Sequence, residues 1–423
     1  MRQQIAHLRR WSSVPPARFV GGNQVDLLQG GDELFPRMLQ AIEAARRDIW
    51  LATYIFHDDP AANRIAQALV AAAGRGLAVH VVVDGFGSLA NLPRLRALFE
   101  GSGVQLEVFR PLDRWYAWLQ PGQLRRLHQK LFVCDGEVAF VGGINLIDDR
   151  CDLRHGWTDA PRLDFAVAVR GPLAAAAHAA TRAMWVRAHL WRRWKHEVRR
   201  LARSRHKVDQ ATALVHALRG TTAASGEPPD STPMQAAFLM RDNLRQRRAI
   251  EHSYIGAIRS AKVRVDIAVP YFYPGRAFRR ALRAAARRGV RVRLLLQGKV
   301  DYRIAALAAR ALYDELRAYG VEIHEYTPAF LHAKVALVDD HWATVGSSNI
   351  DPLSLLLNLE ANVVVRDGDF CAALAARFEE AFAVATQVTG EPQGKGWRSW
   401  LHRGGVAWLA HLYLRVAGIT GRY

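Results

Sequence analysis

The sequence predicts an α/β protein built as two tandem α/β/α sandwich repeats related by a pseudo-twofold axis. Three observations predict it. First, the chain states one pattern twice and in the same order. AIEAARRDIWLATYIF (41–56) is answered by AIRSAKVRVDIAVPYF (257–272), and AAGRGLAVHVVVDG (72–85) by AARRGVRVRLLLQG (285–298). GVQLEVF (103–109) is answered by GVEIHEY (320–326), and LHQKLFVCDGEVAFVGGIN (127–145) by LHAKVALVDDHWATVGSSN (331–349). Second, short apolar runs such as 79–83 and 292–296 fit strands buried on both faces. Third, helical patterns separate these runs, as expected where helices cover a mixed or parallel sheet. A duplicated unit of this kind packs against its copy as subunits of a dimer do.

The elements divide the chain into four parts. Residues 1–210 form the first repeat and end in a basic, tryptophan-rich helix. There Trp191, Trp194, Val198 and Leu201 make an apolar stripe at helical spacing among arginines. Residues 211–235 read as a flexible linker, because GTTAASGEPPDSTP (220–233) is rich in Gly, Ser, Thr and Pro and lacks periodicity. Residues 236–390 form the second repeat. Residues 391–423 form a basic aromatic tail with Trp397, Trp400 and Trp408, interrupted at Gly404-Gly405.

Composition narrows the function classes. The 423 residues carry 58 Lys plus Arg against 39 Asp plus Glu, a net charge of +19. That balance favours an anionic partner: nucleic acid, an anionic membrane surface or a phosphorylated substrate. Cys134, Cys151 and Cys371 share no close spacing, which excludes a disulfide framework and a zinc knuckle. The basic start, MRQQIAHLRRWSSVPP, has no apolar run behind it, so no secretory signal is expected. No apolar stretch is long enough to predict a spanning helix.

The strongest signal is the repeated core. Its first copy is His128-x-Lys130, Asp135, Gly142-Gly143-x-Asn145, and its second is His332-x-Lys334, Asp339, Gly346-Ser347-Ser348-Asn349. On a strand, His and Lys two apart point to one face, so each copy presents an imidazole and an ammonium to the same pocket. The strand turns at Asp135-Gly136 or Asp339-Asp340 and returns to a small-residue turn. The backbone amides and Asn side chain of that turn are expected to approach a phosphate oxygen. Facing copies would collect two imidazoles, two ammoniums and two carboxamides, a set suited to a phosphodiester. One histidine attacks phosphorus, the other protonates the leaving alkoxide, and lysines and asparagines hold the remaining oxygens. A single strand histidine is ordinarily a satisfied core residue; two copies with identical internal spacing argue for chemistry. Metal binding is disfavoured, since lysine is a poor neighbour for a cation and no carboxylate sits at ligand spacing beside either histidine. No cofactor is expected.

These residues resemble the phospholipase D superfamily, whose signature is HxKxxxxD followed by GGxN or GSxN, twice per chain. The resemblance covers about residues 20–390. The string LHAKVALVDDHWATVGSSNIDPLSLLLNLEANVVV, with VPYFYPG (269–275), DGFGS (84–88) and RHGWTDAP, is similar to bacterial cardiolipin synthases of the short type without amino-terminal membrane spans. The resemblance implies phospholipase D-like repeats and a two-step phosphatidyl transfer through a phosphohistidine. Phosphatidylglycerol then serves as donor and acceptor, and cardiolipin and glycerol are the products. It implies His128 as nucleophile and His332 as acid and then base, although the two copies are chemically alike and their spacing leaves the order open. It also implies that a carboxylate downstream of each GxxN turn supports an imidazole, a place taken by Glu360 in the second copy and by Asp164 in the first. The signature counts Asp135 and Asp339 with the catalytic set, while their position before a turn favours anchoring it. Gly143 stands where the second copy has Ser347, so polar contacts in the two halves differ.

A transferase acting on two lipids must dock on a bilayer, which makes the membrane an expected partner and the cytoplasmic face of the cell membrane the expected location. Arginines attract anionic headgroups at about 1 kcal/mol each, and tryptophan prefers the interface. Trp191, Trp194, Trp397, Trp400 and Trp408 are the candidate contacts; the alternative is a helix packed on the core with a solvated arginine face. The competing functions are a phosphodiesterase or nuclease, which the net charge would equally suit, and a phospholipase that transfers to water or another acceptor. No nucleic-acid partner is expected, because no basic run interleaved with aromatics flanks the motifs. The oligomeric state is not legible.

Overall fold

A computed structural model describes residues 17–112, 125–153, 155–201, 234–241, 246, 248–299, 310, 312–351, 354 and 358–389. The first half runs β1 (Gln24–Gln29), α1 (Gly30–Ala44), β2 (Asp48–Thr53), α2 (Pro60–Gly74), β3 (Ala78–Asp84), α3 (Leu92–Phe99), β4 (Gln105–Phe109), β5 (Leu131–Cys134), β6 (Val138–Gly142), a small hairpin of β7 (Cys151–Asp152) and β8 (Gly156–Trp157), β9 (Phe165–Arg170) and α4 (Pro172–Leu201). The second runs β10 (Gln235–Arg241), α5 (Ala249–Ser260), β11 (Arg264–Val269), α6 (Arg276–Arg287), β12 (Arg291–Gln297), α7 (Tyr313–Arg317), β13 (Glu322–Tyr326), β14 (Val335–Val338), β15 (Trp342–Gly346), β16 (Glu360–Arg366), α8 (Gly368–Val384) and β17 (Thr386–Gln387). Of the expected linker, only its last two residues, Met234 and Gln235, are described, and Gln235 already belongs to β10.

The two sheets have one topology. The first is ordered β1-β9-β6-β5-β2-β3-β4 and the second β10-β16-β15-β14-β11-β12-β13, with β17 added at its edge. In each, the central strand pairs parallel with its crossover partner and antiparallel with the motif strand: β2 with β3 and β5, β11 with β12 and β14. Parallel neighbours need covered faces, which explains the unbroken apolar runs Val81–Val83 and Leu294–Leu296.

Local signals set the helices. Asp59 caps α2 by accepting from Ala62 N at 2.9 Å, with Pro60 at the first helical position. Asp367 caps α8 from Phe370 N at 2.8 Å. In α6 the buried set Phe278, Ala281, Leu282 and Ala285 keeps helical spacing while the arginines face outward.

Three apolar clusters result. One belongs to the first half under α1, α2 and α3, and one to the second under α5 and α6. The third is shared: Val133, Val141 and Val167 of one sheet join Val335, Val345 and Val363 of the other, flanked by α4 and α8. The inner faces of the two sandwiches therefore form one core, and β6 and β9 of one meet β15 and β16 of the other across it.

Candidate active site

The structure places His128 and Lys130 immediately ahead of β5, and His332 and Lys334 immediately ahead of β14, not on the strands as the spacing predicts. The reason is a change of partner. At these residues the opposite half takes up the backbone. His128 N donates to Leu359 O at 3.0 Å and Leu359 N to Arg126 O at 2.9 Å. Symmetrically, His332 N donates to Leu163 O at 2.8 Å and Leu163 N to Phe330 O at 2.9 Å. Each histidine is thus stitched beside the other half's carboxylate.

The ring partners cross the pseudo-twofold accordingly. His128 Nδ1 lies 3.0 Å from Glu360 Oε2, and His332 Nδ1 lies 2.6 Å from Asp164 Oδ2. An ionised carboxylate only accepts, so each Nδ1 carries the proton and each Nε2 is left for chemistry. Sequence reasoning named both carboxylates but had no signal for this crossing; it follows from the inter-half stitching. His128, Lys130, Asp164, Lys334 and Glu360 are buried, with His128 9% and Lys130 6% exposed.

Burial dominates the electrostatics. It lowers His128 from the ordinary imidazole range against the pull of Glu360. It lowers His332 to about 3, with Lys334 reinforcing it, Nζ standing 2.7 Å from His332 Nδ1. Burial and the opposing Lys334 charge bring Lys130 down to about 7, and burial brings Lys334 down to about 8. Burial would raise Glu360 and Asp164, but His128 and Lys130 around the first and Lys334 and His332 around the second outweigh it and hold both low. At neutral pH the site thus holds neutral imidazoles, two carboxylates, and lysines poised near neutrality. Charges from both halves act on one another, so the four motif side chains share one field. Any anion entering the site would offset the lysines and raise the basicity of both imidazoles.

Two expectations need correction. The amides of the small-residue turns do not face a phosphate: Gly142 N and Gly346 N donate to Lys130 O and Lys334 O at 3.4 and 3.2 Å, Gly143 N to Phe165 O at 2.9 Å and Ser347 N to Ala361 O at 3.0 Å. Small residues stand there because the next strand packs against them. A Cβ on Gly143 would sit 2.3 Å from Asp164 Oδ1, and one on Gly346 2.3 Å from Asn362. Ser347 instead orients Glu360, donating from Oγ to Oε2 at 2.6 Å. Asp135 and Asp339 sit at the far end of the motif strands from the imidazoles. Asp135 accepts from Arg46, Arg47 and Asp48 N at 2.8–3.0 Å, and Asp339 from Lys262, Val263 and Arg264 N over the same range. Both have positive φ, 57° and 53°, where a short polar side chain can bond locally.

Asn145 Oδ1 accepts from Ile55 N at 3.2 Å, which leaves its Nδ2 as a donor. Asn349 Oδ1 and Glu360 Oε1 are buried with no hydrogen-bond partner among the described residues. Sequence reasoning missed Tyr54, whose ring meets His128 edge-on at 5.1 Å and lies 5.5 Å from Lys130 Nζ. It quoted DGFGS without assigning Asp84, which accepts from Leu127 N at 2.8 Å and so sets the residue before His128. Gln297 does the same for Leu331 at 2.9 Å. The β7–β8 hairpin carries Leu153 and Trp157, 55% and 63% exposed, beside His155, which stacks on Phe330 at 5.2 Å. Trp191 and Trp194 fall on the last turns of α4, whose side chains there are not described. Trp397, Trp400 and Trp408 lie outside the described residues. No described helix is long and apolar enough to cross a membrane.

Residues 38–156 and 254–382 match the family model described as cardiolipin synthase, PLD-like domain. The chain is similar to cardiolipin synthase B of Salmonella typhi, 38% identical over 353 residues, covering 82% of this chain and 78% of that protein. It is similar to cardiolipin synthase A of Pseudomonas putida, 31% identical over 389 residues, covering 92% and 74%. Among solved structures, the phosphatidylserine synthase of Haemophilus influenzae shares the fold, with TM-score 0.62 at 13% identity over 98% of both chains.

Proposed function

The chain belongs to the phospholipase D-like cardiolipin synthases, and from that premise we propose that it joins two phosphatidylglycerol molecules into cardiolipin and glycerol at the paired histidine site. One observation carries the reading: each imidazole has Nδ1 held by a carboxylate from the opposite half, while both lysines act on the same buried field. Nε2 of His128 attacks phosphorus of the donor. The bond from phosphorus to the headgroup glycerol oxygen breaks, and His332, charged once the anionic diester is present, gives that oxygen its proton. A phosphohistidine and free glycerol result. The headgroup hydroxyl of the second phosphatidylglycerol then attacks the same phosphorus while His332 takes its proton. The phosphorus–nitrogen bond breaks, His128 is regenerated and cardiolipin leaves. Lys130, Lys334, Asn145 and Asn349 hold the non-bridging oxygens as charge builds in each transition state.

His128 is assigned the attack because no lysine nitrogen lies within hydrogen-bond distance of its ring: Lys130 Nζ and Lys334 Nζ each donate to the carbonyl of their own histidine, but Lys334 Nζ also stands 2.7 Å from His332 Nδ1. Docking on a lipid surface is supported by the exposed Leu153 and Trp157 on the β7–β8 hairpin and by the net charge of +19. The test is a mass-spectrometric lipid profile of phosphatidylglycerol vesicles incubated with the pure chain. Cardiolipin with equimolar glycerol is expected; phosphatidic acid alone would make water the acceptor and overturn the reading.

A further inference from the structure

The catalytic halves match across the pseudo-twofold, but the reaction is not symmetric: at phosphoryl transfer one phosphodiester is attacked and a second, on the acceptor lipid, is only held. The rim of the site is asymmetric in the same sense. On the first-half side, Arg126 is buried, its Nη1 3.3 Å from Arg110 O and 3.8 Å from Asp84 Oδ1, with its guanidinium 5.4 Å from the exposed Phe86 ring. Arg110 Nη1 reaches back to Arg125 O at 3.5 Å. The second-half positions that correspond to Arg110, Arg125 and Arg126 are Thr327, Ala329 and Phe330. The correspondence is fixed by the backbone: Asp84 pairs with Phe109 and receives Leu127 N, as Gln297 pairs with Tyr326 and receives Leu331 N. Three guanidiniums stand at positions whose second-half counterparts carry no charge.

Their charge is poorly answered from within. Burial lowers Arg110 to about 10, and Arg125, Arg187 and Arg126 add repulsion, with Asp84 opposing. Asp84 is itself fully buried, already accepts three backbone N–H groups, and is raised by burial to about 6. Among the described residues Asp84 is the carboxylate that opposes them, and arginines clustered in this way bind a phosphate by paired, charge-assisted hydrogen bonds.

We infer that Arg110, Arg125 and Arg126 form a second phosphate subsite, which holds the phosphodiester of the acceptor lipid while its headgroup hydroxyl is aimed at the phosphohistidine. This rests on the function proposed above. It adds that acceptor choice is made by charge on one rim, two residues from His128, and that an uncharged alcohol does not use it.

The experiment offers the full chain phosphatidylglycerol vesicles in the presence of ethanol and measures two products in one tube, cardiolipin and phosphatidylethanol. Both draw on the same donor and the same covalent intermediate, so their ratio reads acceptor binding alone. The double variant Arg110→Gln, Arg125→Gln is expected to lower the ratio of cardiolipin to phosphatidylethanol at least tenfold and to raise the apparent KM for acceptor phosphatidylglycerol. An unchanged ratio, with both products falling together, assigns the arginines to vesicle docking or folding and overturns the subsite. Wild type that makes phosphatidylethanol but no cardiolipin overturns the proposed function and the subsite with it, and is distinguished from the former result by the wild-type tube.

Discussion

In the half-site of His128, the ring faces Glu360 at 3.0 Å, and the same carboxylate oxygen also receives Ser347 Oγ at 2.6 Å. In the half-site of His332, the ring faces Asp164 at 2.6 Å, Lys334 Nζ stands 2.7 Å from the same nitrogen, and Gly143 fills the place of Ser347 with no room for a Cβ. The Asp164 carboxylate occupies the space a Cβ at Gly143 would need, whereas beside Glu360 the Ser347 side chain fits and its hydroxyl donates to the carboxylate. On the assignment proposed above, a duplicated frame supplies two imidazoles of opposite duty by changing a few side chains around them. Burial keeps both rings neutral, and that of His128, the proposed nucleophile, has no lysine nitrogen within hydrogen-bond distance. The other is crowded by a cation that an anionic substrate must offset before the ring can hold a proton.

The largest test of this division removes the rings. His128→Ala and His332→Ala are each expected to lower cardiolipin formation by roughly 10⁴-fold or more, because a nucleophile or an acid–base group is lost outright. With a phosphate-labelled donor, acid-labile label is expected on His332→Ala protein and not on His128→Ala protein. Label retained by His128→Ala and absent from His332→Ala would exchange the two roles.

Swapping the small residues sharpens the contrast. Gly143→Ser drives a Cβ to 2.3 Å from Asp164 Oδ1 and must push that carboxylate off His332. A fall in kcat of roughly 10²–10⁴-fold is expected, the scale of losing an orienting carboxylate. Ser347→Gly removes one hydrogen bond to a charged group and is expected to lower kcat by roughly tenfold. Equal losses from the two variants would mean that the half-sites are not organised differently.

A smaller effect follows from the lysines. Burial lowers Lys130 to about 7 and Lys334 to about 8, so their positive charge is lost as pH rises through that window. KM for an anionic lipid is expected to climb from pH 7 to 9 by up to about tenfold, while the low-held Glu360 and Asp164 stay ionised throughout. Lys130→Arg keeps its charge in this range and is expected to flatten the rise. A KM independent of pH in wild type would place the lysines away from the phosphate.

Much of this frame was legible in the sequence. The duplicated order of apolar runs matches two sheets of the same strand order, because parallel strands covered on both faces are mostly apolar, the paired Asp266 and Arg293 being a buried exception. His128, Lys130, His332 and Lys334 were legible because their spacing recurs. What stayed hidden depends on contacts between the halves. No local pattern says that Leu359 pairs with Leu127 or that Leu163 pairs with Leu331, and those two bridges decide which carboxylate reaches which ring. The turn amides were misread for a related reason: Gly143 and Gly346 look like phosphate-cradling glycines, and only the neighbouring strand shows that they are small to admit Asp164 and Asn362. Asp84 was unreadable as a partner of Leu127 because 43 residues separate them.

The smallest effect on chemistry is expected where the two halves agree. Asp135 and Asp339 both tie a motif turn to the backbone ahead of the central strand and touch neither imidazole. Asn tolerates the same positive φ, so Asp339→Asn isolates the lost carboxylate. It is expected to lower stability by about 1–3 kcal/mol and kcat by less than about threefold. Burial pushes the Asp339 carboxyl up, but the N–H groups of Arg264, Val263 and Lys262 outweigh it and hold it below the ordinary range. Its contribution is therefore complete above the unfolded carboxylate range and is lost as pH falls through the lower folded value. The stability gap between wild type and Asp339→Asn, read from urea unfolding at pH 7 and again in acid, is expected to shrink in acid. A gap that is constant with pH, or a kcat loss as large as that of Gly143→Ser, would move Asp339 from the turn into the chemistry and remove the distinction between frame and site.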